Sequence, residues 1–210
     1  MNLIEKLNWR YAVKRYTNAK VPTNKLNRIL EAIRLSASSA GLQPYSILVI
    51  ENEELKKQLL AAANNQPQVT EASHLLVFAT WENITEEKVN NYIQHVATVR
   101  DMALESLDVY KNRLLGLTAR NAEENFNWAA RQTYIAMGTG LVAAADEQVD
   151  ATPMEGFDSV GFDDILKLKE KGLKSVAIMT LGYRDIVNDP TVNFKKVRRS
   201  GEDLFIHFKN

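Results

Sequence analysis

The stretch IAMGTGLVAAA, residues 135–145, admits two incompatible folds. Gly138, Gly140 and Ala143 match the G-x-G-x-x-A pattern whose glycines let a pyrophosphate approach the N-terminus of a helix, and that pattern works only where a strand runs into it. The residues before it, NWAARQTYIAM (127–137), keep helical spacing and contain no turn residue. A dinucleotide loop is therefore disfavoured, and the spacing predicts one helix from about Asn121 to Gln148. From Ile135 to Ala145 it is apolar or small all round, the pattern of a central helix packed on every side. The glycines then serve the close approach of a neighbouring helix.

Working outward, Leu26, Ile29, Leu30 and Ile33 follow the i, i+3, i+4, i+7 rule of an amphipathic helix. It is expected to end near Ser36, because Gly41 and the restriction that Pro44 imposes on Gln43 both oppose its continuation. YSILVI (45–50) reads as a strand. NEELKKQLLAAA (52–63) reads as a helix capped by Asn52, and HLLVFATW (74–81) as a strand buried on both faces. Residues 86–108 read as helix, TPMEGFD (152–158) as a polar turn, the segment after it as a short helix reaching Lys171, and SVAIMTLGY (175–183) as the last strand. Three strands among many helices give an α+β or α/β class, with a sheet covered by helices.

A chain of 210 residues suits a single domain spanning 1–210, since domains run to about 100–200 residues. There are no cysteines, which excludes disulfides, iron–sulfur clusters, thiolate zinc and thiol nucleophiles. Lys+Arg and Asp+Glu balance at 26 each, without a long basic tract, which argues against nucleic acid. The N-terminus lacks the apolar core of a signal peptide, and the longest apolar-and-small run falls short of the ~20 residues of a membrane span. A cytoplasmic location without membrane contact is the expectation. His74, His95 and His207 show no metal-ligand spacing, and neither a phosphate-binding P-loop nor a G-x-S-x-G elbow occurs.

The remaining polar features are RYAVKRY (10–16), where Arg10 and Lys14 would share one face of a helical turn, SASSAGLQP (36–44), and NFKKVRR (193–199) with Lys195, Lys196, Arg198 and Arg199. Each taken alone fits a solvated surface. A chain without redox or nucleophilic groups can still be an enzyme if a cofactor carries the chemistry.

RYAVKRY, SASSAGLQPYSILVI, NNQPQVTEASHLLVF, ATPMEGFD and NFKKVRR occur in the order and rough spacing of the FMN-dependent nitroreductase family. The sequence resembles most the oxygen-insensitive NAD(P)H nitroreductase and dihydropteridine reductase group, over nearly the whole chain. The resemblance implies an α+β nitroreductase-like fold with a central mixed or antiparallel sheet, and an intertwined homodimer with FMN at the subunit interface. It assigns the FMN phosphate to Arg10, Lys196 and Arg198, and the neighbourhood of the flavin pyrimidine ring to Lys14. Tyr11 and Ala12 belong to the same segment, with Ala12 standing where the family has serine.

Ser38, Ser39, Gly41 and Gln43 match the turn that reaches the partner subunit's FMN, with Gly41 in place of a common asparagine. Asn65 and Gln68 match flavin-ring contacts, Gln68 standing where many relatives carry lysine. Pro153, Met154, Glu155 and Gly156 match the loop whose backbone N–H groups approach flavin N5. Tyr110 and Leu114 fall at the acceptor mouth, and the long apolar helix corresponds to the central dimer helix. No protein acid or base is implied; Lys14, Glu155 and Gly156 tune the flavin. The implied activity is ping-pong hydride transfer from NAD(P)H through FMN to a nitroaromatic, quinone or similar acceptor. A flavin or pteridine reductase with incidental nitro activity, and a flavin-binding protein without turnover, stand as alternatives.

Overall fold

A computed structural model describes residues 1–209. Helix α1, Leu3–Trp9, opens with a reciprocal cap: the Asn2 side chain accepts from the Glu5 N–H and the Glu5 carboxylate accepts from the Asn2 N–H. The chain is then irregular through residues 10–16, so Arg10 and Lys14 do not share a helical face as their spacing predicts. Arg10 is the extended residue that terminates α1, and Tyr16 forms a bridge to Arg184. Helix α2 spans Thr23–Arg34 and buries Leu26, Ile29 and Ile33, as the periodicity requires.

Strand β1, Tyr45–Ile50, and helix α3, Glu53–Ala62, follow. Asn52 caps α3 by accepting from the Leu55 N–H at 2.8 Å. A short α4, Gln68–Glu71, leads into β2, His74–Trp81. Helix α5 covers Glu86–Arg100 and stops there, because Asp101 turns into the left-handed region at φ 51°. The stretch to residue 108 is thus not one helix but α5 followed by a 3-10 turn, Leu104–Leu107. Helix α6, Asp108–Leu115, precedes α7, Ala122–Asp146, which is capped by Asn121.

The segment read as a polar turn contains a further strand, β3, Asp150–Met154. Pro153 disguises it: a proline lacks the N–H that a central strand needs, but β3 lies at a sheet edge where that loss is tolerated. Helix α8, Ser159–Ile165, is shorter than expected, the residues up to Lys171 continuing as a separate 3-10 turn. Strand β4, Leu173–Gly182, and helix α9, Gly201–Leu204, complete the order.

The four strands form one antiparallel sheet in the order β1-β2-β4-β3. Alternating side chains of the central strands point to two separate cores. Leu76, Phe78 and Met179 pack under α2 and α7, and Leu75, Val77 and Ile178 under α3 and α8. Burial on both faces explains why β2 is apolar without alternation; burying each such side chain fully contributes about 1.5–3 kcal/mol. A third cluster, with Val89, Ile93, Leu107 and Leu114, joins α5 to α6 beside the sheet.

Helix α7 crosses the first core, and its two glycines play different parts. A Cβ on Gly140 would lie 2.9 Å from Ile33 Cδ1 and 3.2 Å from Met179 Cε, so only hydrogen fits between α7, α2 and β4. A Cβ on Gly138 would meet nothing within 4 Å. Within one chain α7 is therefore not packed on every side, since Ile135 and Val142 are 48% and 40% exposed on the face that Gly138 shares.

Candidate functional site

A cavity of about 480 Å³ opens where the start of the chain meets its end, lined among others by Arg10, Tyr11, Ala12, Pro153, Lys196 and Arg198. These come from the irregular segment after α1, from edge strand β3 and from the segment after β4. Their assembly depends on a buried clamp. The Arg184 backbone N–H and guanidinium both donate to the Asp150 carboxylate, the backbone at 2.8 Å and Nε at 2.9 and 3.0 Å. The Arg184 guanidinium also lies over the Trp9 and Tyr11 rings, 4.3 and 4.6 Å from their centroids.

A second carboxylate, Asp189, accepts from the Tyr11 hydroxyl at 3.1 Å, the Lys14 N–H at 2.9 Å and the Thr191 N–H and hydroxyl at 2.8 and 2.7 Å. Burial pushes this carboxyl up, but the hydrogen bonds, led by the Thr191 hydroxyl, outweigh it and hold Asp189 below the usual range. The same burial and the Asp189 contact raise the Tyr11 phenol, which stays neutral. Lys196 Nζ donates to the Leu7 carbonyl at 2.5 Å and to the Arg10 carbonyl, drawing the C-terminal segment onto the end of α1.

The cavity gathers cations without neutralising them. Arg10 is lowered by burial and then by Arg198, and Lys196 by burial and then by Arg10, Arg198 and Arg184. Asp150, the carboxylate within their reach, is already engaged by Arg184. Arg10 donates weakly to the Ala151 carbonyl at 3.4 Å, and its Nε is buried with no partner. Mutually repelling, partly desolvated cations with an unpartnered donor favour an anion. These residues fit a phosphate group such as that of FMN.

Beyond the cavity, two loops are knitted together. The Gly156 carbonyl accepts from Asn64 Nδ2 at 2.8 Å and Gln66 Nε2 at 2.7 Å, and the Asp158 N–H donates to the Ala62 carbonyl at 2.7 Å. Glu155 accepts from the Phe157 N–H at 2.8 Å, while the Gly156 N–H has no hydrogen-bond partner among the described residues. The Gly156 N–H belongs to the Glu155–Gly156 peptide, whose carbonyl accepts from the Phe157 N–H, so this donor is free for a ligand heteroatom. Met154 is buried in the second core, which leaves its main chain for any ligand. Asn65 is exposed in the left-handed region at φ 53°, and Gln68 is buried at the start of α4. Lys14 is exposed and forms no side-chain ion pair among the described residues.

The 38–43 turn lies apart from the cavity lining and is bound to the rest of the chain. Ala40, Gly41 and Gln43 all adopt left-handed conformations, at φ 55°, 63° and 45°. Ser38 Oγ accepts from the Gln43 N–H, Gln43 Nε2 donates to the Arg34 carbonyl at 2.7 Å, and the Ser39 N–H donates to Gln132 Oε1 at 2.8 Å. Tyr92 and Tyr110 both donate to the Ala40 carbonyl. Gly41 sits under this pair, where a Cβ would be 2.7 Å from the Tyr92 hydroxyl. Leu114 is 2% exposed inside the third cluster, so it stands behind any acceptor mouth and not on it.

Sequence reasoning missed Asp150, Arg184, Asp189, Asn64 and Gln66. The one available signal was the Asn-Asp-Pro-Thr run at 188–191, a turn in which an Asp side chain caps its own backbone. Among the described residues no helix is long and apolar enough to cross a membrane, and no cluster could hold a metal ion.

An α+β sheet protein with a cationic cavity and a presented backbone N–H beside it defines a cofactor-binding class. The chain belongs to the Nitroreductase family, which residues 7–183 match. It is 33% identical over 217 residues to Bacillus subtilis YfkO, provisionally named an NAD(P)H nitroreductase, covering 96% of this chain and 95% of that protein. It is 29% identical over 210 residues to the major NAD(P)H-flavin oxidoreductase of Aliivibrio fischeri, covering 96% of each. The fold matches that of a nitroreductase-type protein of Exiguobacterium sibiricum solved in complex with FMN. The TM-score is 0.82 at 19% identity, over 99% of this chain and 98% of the other.

Proposed function

We propose that the protein is an FMN-dependent NAD(P)H oxidoreductase acting on electron-poor rings such as nitroaromatics and quinones. The observation that carries the reading is the cation cluster of Arg10, Lys196 and Arg198 around an unpartnered Arg10 Nε. When bound, FMN supplies the redox chemistry, accepting hydride from NAD(P)H and passing it to the second substrate in ping-pong fashion. Arg10, Lys196 and Arg198 hold the phosphate, and the Asp150–Arg184 clamp fixes where they stand. Asn64 and Gln66 hold the Gly156 carbonyl and so steady the loop whose Gly156 N–H would donate to the isoalloxazine. Lys14 supplies positive charge near the pyrimidine edge. With neither a nucleophile nor a protein acid in these roles, the chain acts by binding, orientation and electrostatics.

Two copies of the chain complete the site in this reading. The apolar face of α7 at Ile135, Gly138 and Val142 is open to a second copy. Strand β1 leaves one sheet edge unpaired, and Phe205, Ile206 and Phe208 are exposed in the C-terminal segment. These features fit an intertwined homodimer in which the 38–43 turn, with Ser38, Ser39, Gly41 and Gln43, reaches the partner's FMN. The whole chain acts as one FMN-binding domain in the cytoplasm. The test is the visible spectrum of native protein before and after anaerobic NADH or NADPH. Flavin bands should bleach with pyridine nucleotide and return with a quinone or nitroarene. A protein that is colourless and takes up no added FMN overturns the reading.

A further inference from the structure

Two cavities in this chain each gather a pair of arginines that form no ion pair with a carboxylate among the described residues: Arg10 with Arg198, and Arg120 with Arg131. The second cavity, about 340 Å³, is lined by Arg120, Glu124, Asn127, Trp128 and Arg131. Arg120 lies just before Asn121, the cap of α7, and the other four recur along one face of its first three turns. Trp128 is half-buried against the third cluster, which anchors its indole. Trp81 and Trp9 each carry a cation over their ring, Lys88 at 4.8 Å and Arg184 at 4.3 Å, whereas none of the described cations lies over Trp128.

An anchored, uncovered indole between two unpaired guanidiniums suits a flat heteroaromatic ring joined to phosphates. The ring stacks on Trp128, the guanidiniums take phosphate oxygens through paired N–H donors, and Glu124 and Asn127 offer acceptors to ribose hydroxyls. The cavity's position connects it to the reaction. Gln132, the residue after Arg131 on α7, accepts from the Ser39 N–H at 2.8 Å, so the helix that carries the cavity also holds the turn placed above against the partner's FMN.

We infer that this cavity binds the adenosine diphosphate half of the nicotinamide co-substrate while its nicotinamide enters the FMN site of the partner subunit. The inference rests on the oxidoreductase reading and on the homodimer proposed with it. It assigns Arg120, Trp128 and Arg131 to co-substrate binding and gives them no part in hydride transfer.

The experiment compares NADH with reduced nicotinamide mononucleotide, which lacks the adenosine phosphate, on FMN-loaded wild type and on Arg120→Ala, Arg131→Ala and the double variant. Both arginines are exposed, so their removal leaves the fold intact. The expected result is a KM for NADH raised roughly tenfold or more by each single change, with kcat and the mononucleotide KM unchanged. Calorimetric titration with ADP gives an independent readout: wild type binds it and the double variant does not. Equal loss with both nucleotides, no change with either, or no ADP binding by wild type overturns the inference. If wild type oxidises neither nucleotide, the oxidoreductase reading itself fails, and the ADP titration then still decides whether the cavity takes an adenosine phosphate.

Discussion

In the proposed cofactor site Arg10 is the central residue, because it is half-buried among like charges and keeps one donor unpartnered. A hydrogen bond to a charged group contributes about 1.5–3 kcal/mol. Arg10→Ala should therefore weaken FMN binding roughly tenfold to a hundredfold, measured by recovery of flavin fluorescence on dilution. Arg199→Ala, outside the cavity lining, should leave the affinity unchanged.

His74 makes a second prediction at this scale. Its Nδ1 meets the Ser73 hydroxyl at 2.9 Å and its Nε2 the Glu51 carboxylate at 3.0 Å. The Val21 N–H donates to Ser73 Oγ, so the Ser73 proton is free to go to Nδ1, and Nε2 then carries the ring proton toward Glu51. Burial lowers the imidazole, outweighing the opposite pull of Glu51. A folded-state pKa below the unfolded one means the unfolded chain binds more protons. Stability is then full above the unfolded value of about 6.5 and falls as pH drops through the folded one. Thermal midpoints measured from pH 8 to 5 should decline below about 6.5, and less steeply in His74→Gln. Equal slopes would count against the assignment.

At the scale of elements, the two glycines of α7 give opposite expectations from the same sequence motif. Gly140→Val would drive carbon into Ile33 and Met179, and overpacking costs about 1–3 kcal/mol. Gly138→Ala meets open space in the single chain and gains helix propensity of up to about 1 kcal/mol. Denaturant midpoints of both variants, taken at concentrations where the chain is monomeric, check the pair. Local pattern revealed the strands β1 and β2 and the cap of α3, because alternation, full burial and an Asn before an acidic turn leave marks in a few residues. It failed at β3, whose Pro153 and following Glu-Gly resemble a turn, and at the end of α5, where Asp101 reverses the chain without a glycine. It also overstated the burial of α7 within one chain, since an apolar face left open looks the same in sequence as one facing a core.

Across the whole molecule, the candidate site was legible as segments and not as an assembly. Arg10, Lys196 and the Pro153–Gly156 loop could be singled out by family resemblance. The carboxylates that place them, Asp150 and Asp189, lie among segments whose proximity no local pattern records. The open α7 face supplies the test at this scale. Ile135→Asp should shift a dimer toward monomer in sedimentation velocity, and because the 38–43 turn then loses its target, FMN should be held less tightly as well. Retention of the dimer would mean that two copies meet elsewhere.

Lys196 closes its contacts with the carbonyls of Leu7 and Arg10 across nearly the entire length of the chain. During synthesis the first half of the phosphate pocket therefore emerges from the ribosome long before its counterpart. In the proposed reading, a nascent chain that has not yet exposed Lys196 holds only half of that pocket. A premature stop between Gly182 and Lys196 would leave the sheet whole but, in the proposed reading, remove Lys196 and Arg198 from the pocket, so such a chain should hold FMN less tightly.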